Sequence, residues 1–116
     1  MFLKKKWVKE NQPAVFEKVA KLMLPGDFIA MKLTGNITTS ISALSEGVFW
    51  DFQENELSKD VLNYYGLSSS FIPEIKNVFE EHGRITTEVA DALSLKKGIP
   101  VTYKAGDQPN NALSLN

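Results

Sequence analysis

Residues 100–116 read Pro-Val-Thr-Tyr-Lys-Ala-Gly-Asp-Gln-Pro-Asn-Asn-Ala-Leu-Ser-Leu-Asn. Val101 to Ala105 reads as a short strand, since Thr102 and Tyr103 suit a pleated, half-buried surface. Gly106 permits a sharp change of direction. Asp107 then opens a helix as its N-cap, with its carboxylate accepting backbone N–H groups of the first turn. Pro109 falls inside that turn, where its missing N–H costs nothing. A carboxylate between a strand's carboxyl end and a helix N-terminus stands where open α/β sheets place their ligands.

Two roles fit Asp107 at this point. It is a cap and nothing more, or it takes a proton from a substrate hydroxyl. In the second case Gln108, Asn110 and Asn111 supply neutral donors and acceptors suited to a polyol. A helix N-terminus favours an ionised carboxylate, which then serves as a base or as a magnesium ligand.

Upstream, the sequence alternates helical patterns with turn signals. Lys4 to Asn11 reads as a basic helix with Trp7 and Val8 as apolar contacts and Lys4-Lys5-Lys6 on a solvated face. Pro13 begins a second helix in which Val15, Phe16, Val19 and Leu22 recur at helical spacing. Asp27 caps a third helix that runs through Phe28, Ile29, Met31 and Leu33 and ends at Gly35-Asn36. The hydroxyl-rich run from Thr38 to Gly47 is expected to build turns and caps. No His, Lys or Asp beside it marks a Ser as a nucleophile. The aromatic run Val48-Phe-Trp-Asp-Phe52 anchors a strand or turn on the core, because no basic residues accompany it to make a base-stacking platform.

Leu57 to Tyr65 forms a helix closed by Gly66. Val78 to Ile85 reads as a pair of strands interrupted by His82-Gly83, which puts His82 in an exposed turn. Thr86-Thr87-Glu88 starts a further helix through Leu93 and Leu95, stopped by Lys96-Lys97-Gly98. The expected core is Trp7, Phe16, Leu33, Phe49, Leu62, Ile72, Leu93 and Val101.

Several of these segments, in this order, resemble the FGGY carbohydrate kinases. Ala-Gly-Asp-Gln-Pro-Asn-Asn-Ala-Leu resembles that family's Gly-Asp-Gln/Asn segment. Leu-Pro-Gly-Asp-Phe-Ile-Ala-Met-Lys-Leu-Thr-Gly resembles its helix ending in Lys-Leu-Thr-Gly. Thr38 to Ser45 resembles its Thr-Asp-x-Ser-x-Ala-Ser stretch, with Ser40 where many members carry Asp. Pro73-Glu-Ile is similar to the family's Pro-Glu-Ile turn. Lys4, Trp7, Val8, Glu10 and Asn11 fit a further signature, in which Lys5 stands at an apolar slot. The resemblance covers nearly the whole chain, and xylulokinase-like members match best.

The resemblance implies a fold and a chemistry. The fold is α/β: a partial ribonuclease H-like domain of the actin and sugar-kinase type, with helices packed on a few short strands. Residues 1–116 then form a single domain, an interior piece of the kinase N-terminal domain that stops inside the helix begun at Asp107. The chemistry is ATP- and Mg2+-dependent phosphorylation of a ketopentose such as D-xylulose. Asp107 matches the family's catalytic base, Gln108 matches its sugar-contacting amide, and Asn111 joins them as a substrate-binding candidate. No residue here is assigned to ATP, and Asp107 is the one candidate metal ligand. The alternative is a sugar-contacting or structural fragment without turnover of its own, because no glycine-rich phosphate loop lies within the chain.

The totals agree with a small soluble domain. There are 116 residues, 43% hydrophobic and 23% charged, enough for one core. A net charge of −1 gives no electrostatic reason to expect nucleic acid or an anionic membrane. Zero cysteines exclude disulfides and thiolate chemistry, and a lone histidine excludes a His-based metal cluster. No apolar run is long enough for a membrane span, and the N-terminus lacks the order of a signal peptide, so the cytoplasm is the expected compartment. The expected partner is a small sugar. Apolar surface left uncovered would be buried by self-association into a homo-oligomer.

Overall fold

The strand at the centre of the molecule is β1 (Thr38–Ser40), all three of whose residues are buried. The computed structural model describes residues 2–115, with side chains from Lys6 onward. Lys4 and Lys5 therefore fall outside the described side chains, as Asn116 falls outside the described residues.

α1 (Phe2–Asn11) precedes a single turn, α2 (Pro13–Phe16). The expected extension of that second helix to Leu22 does not occur. Leu22 instead donates its N–H to the Phe71 carbonyl at 2.7 Å, and Lys21 Nζ reaches the Ser70 carbonyl at 2.7 Å. Pairing with a distant segment has overridden a helical pattern that Pro25 would in any case have stopped. α3 (Pro25–Thr34) begins at that proline and ends at Gly35, whose φ of 76° is the left-handed cap read from the sequence.

After β1, Ser40 accepts the Ala43 N–H at 3.3 Å and opens α4 (Ile41–Glu46). β2 (Trp50–Asp51) and β3 (Glu56–Leu57) form an antiparallel pair. Ser58 caps α5 (Lys59–Tyr64). The carbonyls at the end of α5 are met by Lys9 Nζ, at 2.8 Å from Tyr65 O and 2.7 Å from Gly66 O.

A short 3-10 turn (Ser69–Phe71) leads to β4 (Glu74–Lys76), which pairs in parallel with β1. The segment read as a Pro-Glu-Ile turn is thus a strand, because Ile75 and Lys76 find ladder partners in Thr39 and Ser40. The expected strand pair over Val78–Ile85 shrinks to β5 (Gly83–Arg84), which is antiparallel to β6 (Pro100–Val101). Between them lies α6 (Thr87–Leu93), capped by Thr86 and closed by Ser94 at φ 57°, earlier than Gly98. Beyond Val101 the expected strand is irregular extended chain, held by Lys104 N–H on the Val78 carbonyl at 3.0 Å. α7 (Asp107–Ser114) follows. Helices packed on short strands, with a parallel central pair, match the α/β expectation.

The core gathers Leu44, Phe49, Leu62, Leu67 and Ile72, with Phe16, Leu22 and Trp50 packed against it. Phe49, Leu62 and Ile72 are buried as expected, and Phe16, Leu33 and Val101 are half-buried. Trp7 and Leu93 are corrections, at 55% and 56% exposed. On α6 it is Ala90, at 0% exposed, that turns inward in place of Leu93.

Candidate functional site

The loop from Val101 to Asp107 is fixed from three directions. From beneath, Lys104 is 7% exposed and its Nζ lies 3.2 Å from Asp27 Oδ1, with Asp27 itself 3% exposed. Lys104 Nζ also donates to the Thr38 carbonyl and, at 2.9 Å, to Thr38 Oγ1. Asp27 Oδ2 accepts from Thr39 Oγ1 at 2.9 Å and from the Leu24 N–H at 3.4 Å. Asp27 therefore caps α3, as the sequence suggested, but from its third position, and it is also the anionic half of a buried ion pair.

His82 completes this network and corrects the sequence reading, which put it in an exposed turn. Its side chain is 1% exposed. His82 Nδ1 lies 3.2 Å from Thr38 Oγ1, and Nε2 lies 3.0 Å from the Asn77 carbonyl. A carbonyl can only accept, so Nε2 carries the proton and Nδ1 accepts from the Thr38 hydroxyl. Thr38 Oγ1 in turn accepts from Lys104. Burial is the main reason the His82 pKa is lowered from its ordinary value of 6.5, and the Lys104 charge adds to it. Burial likewise lowers the Lys104 pKa, against the pull of Asp27.

The second anchor acts at the N-terminus of α7. Gly106, not Asp107, is the N-cap, and it has no side chain to offer. Asp107 is the first helical residue, where its carboxylate makes no hydrogen bond or ion pair among the described residues. Glu46, at the end of α4, does the work of the cap: its Oε1 accepts the Gln108 N–H at 2.8 Å. The third anchor is Asn110 Nδ2 on the Ala105 carbonyl at 3.2 Å.

The candidate residues thus separate. Asp107, Gln108 and Asn111 are all exposed on α7, with Asp107 and Asn111 one turn apart on the same side. Asn110 is also exposed, with its Nδ2 engaged by the Ala105 carbonyl. The opposite side of α7 carries Pro109, Ala112 and Leu113 over a groove that includes Phe79 and Tyr103, whose rings lie 5.1 Å apart. An exposed carboxylate with two amides beside it, on a helix braced from below, can bind a hydroxylated ligand and accept its proton.

The pattern of the FGGY family of carbohydrate kinases, N-terminal domain, matches residues 2–114. The chain belongs to the FGGY carbohydrate kinases. Among curated FGGY relatives it is similar to a xylulose kinase of Lactococcus lactis subsp. lactis (strain IL1403), 29% identical over 109 residues, covering 94% of this chain and 22% of the relative. It is also similar to an L-fuculokinase of Escherichia coli (strain K12), 30% identical over 101 residues, with 87% and 21% covered. Among solved FGGY structures, the xylulose kinase from Rhodospirillum rubrum superposes with a TM-score of 0.85 at 28% identity, over 97% of this chain and 23% of that one. The chain spans about a fifth of the length of the curated relatives it matches.

Two features of this FGGY segment escaped the sequence. Glu46 reads there as the end of a hydroxyl run and Lys104 as a strand residue, and no local pattern signals contacts that span 62 and 66 residues. Among the described residues, no group of three or more His, Asp or Glu could hold a metal ion. No helix among them is long and apolar enough to cross a membrane.

Proposed function

We propose that this segment forms the sugar-facing part of a kinase that phosphorylates a ketopentose such as D-xylulose from ATP, with Asp107 as general base. The observation that supports this reading is that Asp107 is released from capping duty, exposed, and without a hydrogen-bond or ion-pair partner among the described residues, while Glu46 accepts from the helix N-terminus. In the proposed reaction, Asp107 accepts the proton of the attacking sugar hydroxyl as its oxygen bonds to the γ-phosphorus. The bond to the bridging oxygen breaks, and ADP leaves. Gln108 and Asn111 hydrogen-bond the other hydroxyls and fix which oxygen attacks. Similarity to proteins named xylulose kinase favours a ketopentose, and similarity to one named L-fuculokinase makes the sugar the first thing to test.

ATP supplies the phosphoryl group, and magnesium, when bound with it, neutralises charge on the phosphates. Magnesium takes one or two carboxylates together with phosphate oxygens rather than an all-protein cage. Asp107, at the exposed start of α7, is a carboxylate that fits that habit.

The test is a coupled ADP-release assay on the complete polypeptide that carries residues 1–116, with D-xylulose and L-fuculose. Asp107→Asn is expected to lower turnover by about 10²–10⁴-fold, the usual worth of acid–base assistance. Sugar binding is expected to weaken less, since an amide still hydrogen-bonds a hydroxyl. Unchanged turnover in Asp107→Asn would return that residue to a structural role. The second reading, a sugar-contacting segment without turnover of its own, is favoured for residues 1–116 in isolation by the lack of any glycine-rich phosphate loop in them. That chain is expected to release no ADP with either residue at position 107.

A further inference from the structure

Glu46 is oddly placed for a surface acid. It is the last residue of α4, where the helix dipole disfavours a negative charge. It is half-buried, and it points across to a different helix, accepting the Gln108 N–H at 2.8 Å. Gly106 explains how it gets there. Its φ of −75° is open to any residue, so backbone conformation does not require glycine. Space does: a Cβ at residue 106 would overlap the carboxylate carbon and both oxygens of Glu46. The glycine of the Gly-Asp-Gln segment is the slot through which Glu46 reaches the helix.

We infer that Glu46 is a positioning residue for phosphoryl transfer, holding the first turn of α7 so that Asp107 meets the attacking hydroxyl. This rests on the reading of Asp107 as base. With Gln108 N–H and its own cap satisfied by Glu46, Asp107 has no need to fold back onto the helix end. Remove Glu46, and Asp107, the first residue of that helix, carries a carboxylate free to turn toward the vacant N-terminus. The catalytic group would then be drawn into the capping role that the sequence first suggests for it.

Four variants of the complete polypeptide test this by kcat, sugar KM and melting temperature. Glu46→Ala is expected to lower kcat on the order of ten- to a hundred-fold, as misplacement of a reacting group by a fraction of a bond length to an ångström does, with little change in melting temperature. Glu46→Gln keeps a carbonyl oxygen at the same reach and is expected to restore most of kcat. Gly106→Ala is expected to behave like Glu46→Ala, because the clashing atoms are the end of a flexible side chain and the backbone need not move. In an Asp107→Asn background, Glu46→Ala is expected to lower kcat no further, since residues acting as one unit are not additive. Hydrogen exchange at the Gln108 amide, slow in wild type and Glu46→Gln and fast in Glu46→Ala and Gly106→Ala, reports the contact without turnover. An inactive Asp107→Asn beside a Glu46→Ala with wild-type kcat overturns the inference alone. Wild-type kcat in Asp107→Asn overturns the reading of Asp107 on which it rests.

Discussion

Lys104 Nζ and Asp27 Oδ1 meet at 3.2 Å in a site where both side chains are almost entirely withdrawn from solvent. The pair ties the loop before Asp107 to the start of α3. Buried ion pairs add little net stability over an apolar substitute, but removing one partner leaves the other charge unpaired at a cost of about 3–5 kcal/mol. Lys104→Met is therefore expected to destabilise the chain by about that amount, a large share of the ~5–15 kcal/mol typical of a domain. Adding Asp27→Asn is expected to recover part of the loss. Urea unfolding of the single and double variants checks this; a Lys104→Met chain as stable as wild type would mean that the pair is solvated.

His82 makes stability depend on pH. Its folded pKa lies below the ordinary 6.5, chiefly through burial. Between the folded value and about 6.5, the unfolded chain binds a proton that the folded chain refuses. The contribution of neutral His82 is thus complete above pH ~6.5 and is lost as the pH falls below it. Melting curves from pH 7.5 to 5 are expected to show a decline that His82→Gln flattens. Equal slopes for the two proteins would remove His82 as the cause.

Asp107 is expected to matter little to the fold. Its carboxylate makes no cap contact among the described residues, so Asp107→Asn forfeits only a favourable interaction with the helix dipole, about 0.3–1 kcal/mol at low salt. The melting temperature of the variant should stay close to wild type, and a drop of many degrees would mean the carboxylate has a structural partner in solution.

Gly83 is expected to resist substitution. Its φ is 145°, and a Cβ there would stand 2.8 Å from Thr34 Cβ and 2.7 Å from Asn36 Nδ2. Backbone strain of this kind costs about 1–3 kcal/mol before any clash is counted. Gly83→Ala should lower the denaturation midpoint accordingly, whereas Gly26→Ala, with open space around it, should not.

What was legible in the sequence was what local chemistry controls. Gly35 and Gly66 end their helices with positive φ, and Ser40 and Thr86 are found at helix starts, whereas the helix expected from Leu57 starts only after its cap at Ser58. The approach to Asp107 through a glycine and into a helix is as read. What was missed depends on segments far apart in the chain. His82 looked exposed because a histidine beside glycine gives no hint of a hydroxyl waiting 44 residues away. Leu22 looked helical because its periodicity was right, while its N–H belonged to Phe71. Asp107 looked like a cap because Glu46, which takes that position, sits on another helix and reaches it only in the folded chain.

The parallel pairing of β1 with β4, and the reach of Lys104 back across 66 residues to Thr38, also govern the order in which the molecule can form. Neither contact is local, and each must close a long loop before it yields any stabilisation. A nascent chain that has emerged only as far as β5 holds Asp27 without its cation and β1 without the donors that satisfy Thr38. The scaffold therefore becomes rigid only when the loop leading to Asp107 has been made and docked. Acquisition of the native state and assembly of the proposed catalytic corner are one event, so a chain that has reached its folded form carries Asp107 already in place.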